Sequence, residues 1–217
     1  MAFGSSQWMY SAGADFTIPY SCRFDGTSAY FNRTPSSASN RKTWTISFWY
    51  KRGNIIGYEY VFGAVTDIGG DPSVMAFDIN EYLYWHTGGS NYRWYTTAQY
   101  RDPSAWMNVV FACDTSSAGG LAVAEMQRIY VNGVQVTVSH DRDNPVADYE
   151  GLINDDEPHK IGGYPPASSH FFTGHMAEMH FIDGTALTPT SFGETGDYGE
   201  WKPIEVSGLT YGTNGFY

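Results

Sequence analysis

The sequence predicts an all-β domain of two antiparallel sheets packed face to face, and three observations carry that prediction. Apolar residues recur with a period of two in segment after segment, where a helix would show a period near 3.6. The 24 Gly and 10 Pro fit many short strands joined by turns. Aromatic residues make up 17% of the 217-residue chain, and aromatic side chains favour strands.

The elements follow in order. Strands are expected at 21–24 and 29–32, then at 43–51 (TWTISFWYK), where Trp44, Ile46, Phe48 and Tyr50 share one face and Thr45, Ser47, Trp49 and Lys51 the other. Further strands are expected at 59–64, 74–80, 82–87 and 91–97. In 106–114 (WMNVVFACD), Met107, Val109, Phe111 and Cys113 line one face. Segments 125–131 and 134–138 flank Asn132-Gly133, a hairpin signal because both turn positions need φ > 0. A closing strand is expected at 173–181, with Ile46, Phe48, Val109, Phe111, Met179 and Phe181 between the sheets. Loops are expected at 34–42, 66–73, 116–120, 139–158 and 162–170, of which 139–158 is the longest and most acidic.

Charge and cysteine content narrow the function classes. The formal net charge of −11 opposes nucleic-acid binding, which rests on neutralising phosphates, and opposes attraction to anionic membrane surfaces. No apolar stretch approaches membrane-spanning length. Cys22 and Cys113 make no disulfide framework, and both are expected as buried free thiols on apolar strand faces.

Several motifs resemble one family. CRFDGTSAYFNRTP (22–35), WTISFWYKRG (44–53), SAWMNVVFACD (104–114), RIYVNGVQV (128–136), HKIGGY (159–164) and FTGHMAEMHFIDGTALT (172–188) resemble, in order, the strand and turn motifs of laminin-G-like, concanavalin A-like lectin/glucanase jelly rolls. The resemblance implies a jelly roll over residues 21–188, an N-terminal arm at 1–20 and a C-terminal extension at 189–217, with 22–35 forming the first hairpin. The aromatic ending GLTYGTNGFY adds the expectation that the chain leads into a further domain. MAFGSSQWMYSAGADF and SGLTYGTNGFY are similar to lectin-like virion proteins of marine tailed bacteriophages. That similarity implies a virion location, in a tail, fibre or capsid-associated protein assembled in host cytoplasm, and the start shows no signal-peptide pattern. Its implied partners are host surface glycans or other virion proteins, and a homo-oligomer such as a trimer is compatible.

Relatives often hold Ca²⁺ with Asp side chains and backbone carbonyls, and Asp25 of Phe-Asp-Gly matches the family's first acidic position. Ala177 stands where many relatives carry Asp beside the glutamate. Asp67 and Asp71, or Asp141, Asp143, Asp155 and Asp156, offer further acidic groups, for which a solvated loop is the simpler reading.

Catalysis is not expected. Glycoside hydrolases of this fold need two carboxylates on one strand face, and their Glu-x-Asp-x-(x)-Glu signature is absent. In 172–188, strand alternation groups His175 with Ala177, Met179 and Phe181, and Glu178 with His180, so the three polar groups do not converge on one ion.

Ligand binding is placed on the ribbon 82–100, YLYWHTGGSNYRWYTTAQY, which holds seven aromatic residues. The candidate residues are Tyr84, Trp85, His86, Asn91, Tyr92, Arg93 and Trp94, with Trp49 and the loop 139–158 assisting. Rings stack on the apolar face of a sugar while polar groups fix its hydroxyls, and Arg93 suits the carboxylate of an acidic sugar. For any one ring, filling the sandwich or a subunit contact is an equal alternative.

Overall fold

A computed structural model describes residues 15–55, 57–66, 72–88, 92–117, 120–122, 125–140, 146–164 and 169–217. The architecture is the predicted two-sheet antiparallel sandwich. Its first sheet has six strands in the order β1 (Cys22–Asp25), β13 (Thr173–Asp183), β3 (Thr43–Arg52), β8 (Met107–Asp114), β9 (Gln127–Val131) and β10 (Val134–Gln135). The second has seven, in the order β11 (Val138–His140), β7 (Tyr92–Gln99), β6 (Tyr82–Thr87), β5 (Ser73–Phe77), β4 (Glu59–Ala64), β12 (His159–Ile161) and β2 (Phe31–Arg33). A small ribbon of β14 (Gly193–Thr195) and β15 (Trp201–Pro203) completes the strands.

The core lies between the sheets and follows the alternation. Trp44, Ile46, Phe48 and Tyr50 of β3 face Met75, Phe77, Leu83 and Trp85 of the opposite sheet, with Val109, Phe111 and Phe181 completing the layer. Phe48 and Phe111 stack at 6.4 Å, and Trp85 meets Phe111 edge to face at 5.6 Å. Asn132 and Gly133 have φ of 48° and 79°, the type I′ geometry that the Asn-Gly pair predicts.

Three local expectations are corrected. β1 and β2 do not form a hairpin: they sit at free edges of different sheets, so the turn between them crosses the sandwich. Val138 does not extend β10 but enters β11, which pairs with β7 in the other sheet. Cys22 shares a face with Phe24 but is the first residue of the edge strand β1 and is exposed there, whereas Cys113 is buried; both thiols are free.

The segment after β13 packs on the outer face of the six-stranded sheet. Phe192, with Val206, Leu209 and Tyr211, covers Val110, Ala112, Tyr130 and Ile182. Trp201 donates its indole N–H to Asn108 Oδ1 at 3.2 Å. Asp183 Oδ2 accepts the amides of Thr213 and Asn214, each at 3.0 Å, and Phe216 exchanges two backbone hydrogen bonds with Phe181. Residues 189–217 are thus a third layer on one side of the sandwich, which leaves the other sheet's outer face as the place to look for a site.

Candidate functional site on the seven-stranded sheet

Register builds this site. Tyr60 pairs with Ala76, Ala76 with Tyr84, and Tyr84 with Tyr95, so one row crosses β4, β5, β6 and β7. Successive residues alternate faces, so this row and the neighbouring row Val74–His86–Arg93 point away from the core. Ala76 and Tyr84 are buried within the row, under the partly exposed rings of Tyr60, Tyr95 and Tyr164. Tyr84 and Tyr95 lie 5.4 Å apart, Tyr60 and Tyr164 4.9 Å, and Tyr58 meets Tyr84 edge to face at 6.4 Å. His170 joins Tyr60 at 5.4 Å, and the Arg93 guanidinium sits 5.4 Å from the Tyr95 ring.

Beside the row lies an open trough of about 560 Å³ lined by Tyr58, Asp78, Asn80, Tyr82, Tyr95 and Thr97, among others. Asp78 serves the turn, since its Oδ1 accepts the amides of Asn80 at 2.9 Å and Tyr82 at 2.9 Å. Burial pushes the phenols of Tyr60 and Tyr84 above their ordinary range, so both stay protonated. The face therefore presents flat rings, hydroxyls that donate and accept, and few charges: a surface for stacking and hydrogen bonding.

The expected site residues divide by the same alternation. Tyr84, His86 and Arg93 lie on this outer face. Trp85 and Trp94 pair with each other on the inner face and are each only 1% exposed, so neither ring can stack on a ligand. This corrects the placement of both tryptophans, and the reason is that paired residues share a face. Tyr92 pairs with Thr87 on that inner side and packs edge to face on Tyr149 at 4.7 Å. Asn91 lies outside the described residues. Trp49 belongs to the other sheet, where it pairs with Asn108 and Ala177 and is 5% exposed, so it does not join the ribbon. Sequence reasoning missed Tyr58 and Tyr60, although their spacing of two at the start of β4 put both on one face; Tyr164 and His170 come from a loop that carried no such signal.

Of the acidic candidates, Asp25 and Asp155 have structural partners. Asp25 Oδ1 accepts the amides of Thr27, Ser28 and Ala29, and Oδ2 the Ser28 hydroxyl, which holds the carboxyl far below its usual range. It caps the turn after β1, and alone it does not supply the roughly six to eight oxygens that calcium takes. Among the described residues no three His, Cys, Asp or Glu side chains gather as a metal-ligand set. Asp155 pairs with Arg41 at 3.0 Å, Asp156 is exposed, and Asp67, Asp71, Asp141 and Asp143 lie outside the described residues. In the loop 139–158, Asp148 pairs with Lys42 at 3.1 Å, which fastens its second half to the start of β3.

The histidine-rich strand also departs from simple alternation. A β-bulge sets three steps of β13 against two of β3 between Ala177 and His180, with Glu178 at φ 48°. His175 and Ala177 thus face outward with His180, while Met176 and Phe181 face the core. His180 does not reach solvent: it is 2% exposed beneath Tyr211 and Tyr217 of the C-terminal layer.

Comparison with known proteins bears on this geometry. The chain is similar to domain 4 of AbnA, a GH43 extracellular arabinanase from Geobacillus stearothermophilus, solved with arabinotriose. The TM-score is 0.55 at 18% identity, over 82% of this chain and 76% of that one. It is also similar to the LG4-5 domains of the mouse laminin alpha1 chain (TM-score 0.51, 16% identity, 75% of this chain and 40% of that one). A third likeness is to Trypanosoma rangeli sialidase (TM-score 0.52, 13% identity, 79% and 26%). At such identities these likenesses show the fold alone. No curated protein matches the sequence. The Laminin_G_3 family model matches residues 25–191, most of the sandwich, and the chain therefore belongs to the concanavalin A-like lectin/glucanases superfamily.

Proposed function

We propose that this domain is a non-catalytic, lectin-like module that binds glycan on the outer face of its seven-stranded sheet. The observation that carries the reading is the cross-strand row Tyr60–Ala76–Tyr84–Tyr95 beside the trough lined by Tyr58, Tyr82, Asn80 and Thr97. Tyr84 and Ala76 are buried and support the row from beneath, while the partly exposed rings of Tyr60 and Tyr95 and the exposed ring of Tyr58 offer the stacking surfaces, and the trough offers side-chain oxygens and nitrogens for hydroxyl groups.

Binding without cleavage is supported by the disposition of acids. Hydrolysis of a glycosidic bond takes two carboxyl groups about 5–9.5 Å apart across the bond. Asp78 is the carboxylate among the described residues lining the trough, and its Oδ1 is occupied by backbone amides. The finer assignment, to a virion protein of a tailed bacteriophage that uses this face on a host surface glycan or on another virion protein, rests on the similarity of residues 1–16 and 207–217 to such proteins.

A glycan array probed with the purified domain tests the proposal. Retention of at least one saccharide without shortened products supports it. Retention of none, or release of reducing ends, overturns it.

A further inference from the structure

A second cavity lies on the open side of the sandwich. β1 and β2 are free edges of the two sheets, and residues of both line a cleft of about 450 Å³, a volume ordinary for a small-molecule site. Phe24, Ile161, Met176 and Phe216 are among its apolar walls, while Tyr20 and Tyr217 line it with 85% and 72% of their surface still exposed. Among the described residues lining it, Glu178 is the charged one.

The placement of Glu178 is specific. The bulge in β13 holds it at φ 48°, in the left-handed region where a non-glycine residue is uncommon. Its side chain is 13% exposed, and Tyr217 donates its hydroxyl to Oε1 at 2.9 Å. His180 Nε2 lies 3.6 Å from Oε2, but burial lowers the imidazole pKa to about 4, so that ring is neutral near pH 7. Glu178 thus sits in a mostly covered place beside the Tyr217 hydroxyl and a neutral imidazole, with no Lys or Arg ion-pair partner among the described residues, so a cation entering the cleft would meet a carboxyl group that no basic side chain occupies.

We propose that this cleft is a binding site for a small alkylammonium ligand, whose apolar chain lies between the sheet edges and whose positive head meets Glu178 and the Tyr20 and Tyr217 rings. Charge complementarity selects the cation, and aromatic faces favour an alkylated one because its hydration is weak. The site lies apart from the tyrosine-lined face and does not depend on glycan binding there.

Hexyltrimethylammonium, hexanol and hexanoate, titrated separately at neutral pH into methyl-labelled methionine protein, test the idea at Met176 and Met179. The expected result is that the ammonium shifts both methyl signals at roughly tenfold lower concentration than hexanol, with hexanoate weaker still. Glu178→Gln, which keeps a hydrogen-bond acceptor for Tyr217, should bring ammonium and alcohol to parity while the melting temperature holds. Equal or better binding of hexanol or hexanoate to the parent, or no shift at either methionine, would overturn the proposal, and the parent series decides even if the variant folds poorly.

Discussion

Replacing Arg52 with methionine removes the one cation from a buried cluster that joins the two sheets. Arg52 is 1% exposed; its Nε donates to Glu59 Oε2 at 2.9 Å, a terminal nitrogen donates again to Glu59, and the other donates to Glu81 and, at 3.0 Å, to the Tyr100 carbonyl. The guanidinium also stacks 4.3 Å from the Phe77 ring. Glu59 Oε1 accepts the Thr173 amide at 2.9 Å, so one arginine links β3, β4, β13 and the turn after β5. Burial already holds the Glu59 carboxyl above its usual range, and without Arg52 only the Thr173 hydrogen bonds oppose that push. Breaking a buried pair in this way costs about 3–5 kcal/mol. For a chain of this size each kcal/mol lowers Tm by about 2–4 °C, so the drop should be about 6–20 °C. Because the loss comes from orphaned carboxylates, Arg52→Met combined with Glu59→Gln and Glu81→Gln should recover part of it. Urea titration and thermal melting followed by circular dichroism measure both. A single variant within about 1 kcal/mol of the parent, or a triple variant no better than the single, would refute the reasoning.

Other expectations are as direct. Phe111→Ala should lose about 3–5 kcal/mol in urea unfolding, as for a fully buried aromatic between sheets, and an unchanged midpoint would place Phe111 wrongly. Gly133→Val should destabilise by about 2–4 kcal/mol, because a Cβ at φ 79° would also strike the Trp201 ring; parent-like melting would contradict that packing. Burial lowers the pKa of His159 and of His180 from 6.5 to about 4. The unfolded chain then binds more protons between those values, so stability is full above about pH 6.5 and falls toward pH 4, by roughly 3 kcal/mol for each histidine. Urea midpoints that stay flat from pH 7 to pH 4.5 would show that neither is held neutral. Incubation with laminarin, agar or host polysaccharide should release no reducing ends, and turnover lost in Glu178→Gln would reverse the non-catalytic reading.

Most of the fold was legible because alternation is a local signal. The inward faces of β3 and β8 could be read directly, whereas Arg52, one residue past the expected strand 43–51, continues the inner face behind Tyr50 and was not anticipated there. The bulge at Glu178 was not legible, since one inserted residue leaves the composition of the strand unchanged while reversing the faces beyond it. The ribbon 82–100 was correctly recognised as too aromatic to be hidden on one side, but which rings are displayed depends on the phase of the strand. That phase puts Leu83, Trp85 and Trp94 inward and Tyr84 and Tyr95 outward. Tyr164 and His170 reach the site through tertiary contact, which no periodicity encodes. The free side of the sandwich depended likewise on where residues 189–217 pack.

Glycan retention by Tyr58→Ala/Tyr95→Ala measures whether saccharide lies on the outer face of the seven-stranded sheet. Both rings line the trough, Tyr58 is 40% exposed, and neither belongs to the buried core between the sheets, so melting should stay close to the parent's. Each stacking ring contributes about 0.5–1.5 kcal/mol, so the double variant should bind the retained glycan roughly 5- to 150-fold more weakly. Undiminished retention by a variant that melts with the parent would contradict the account.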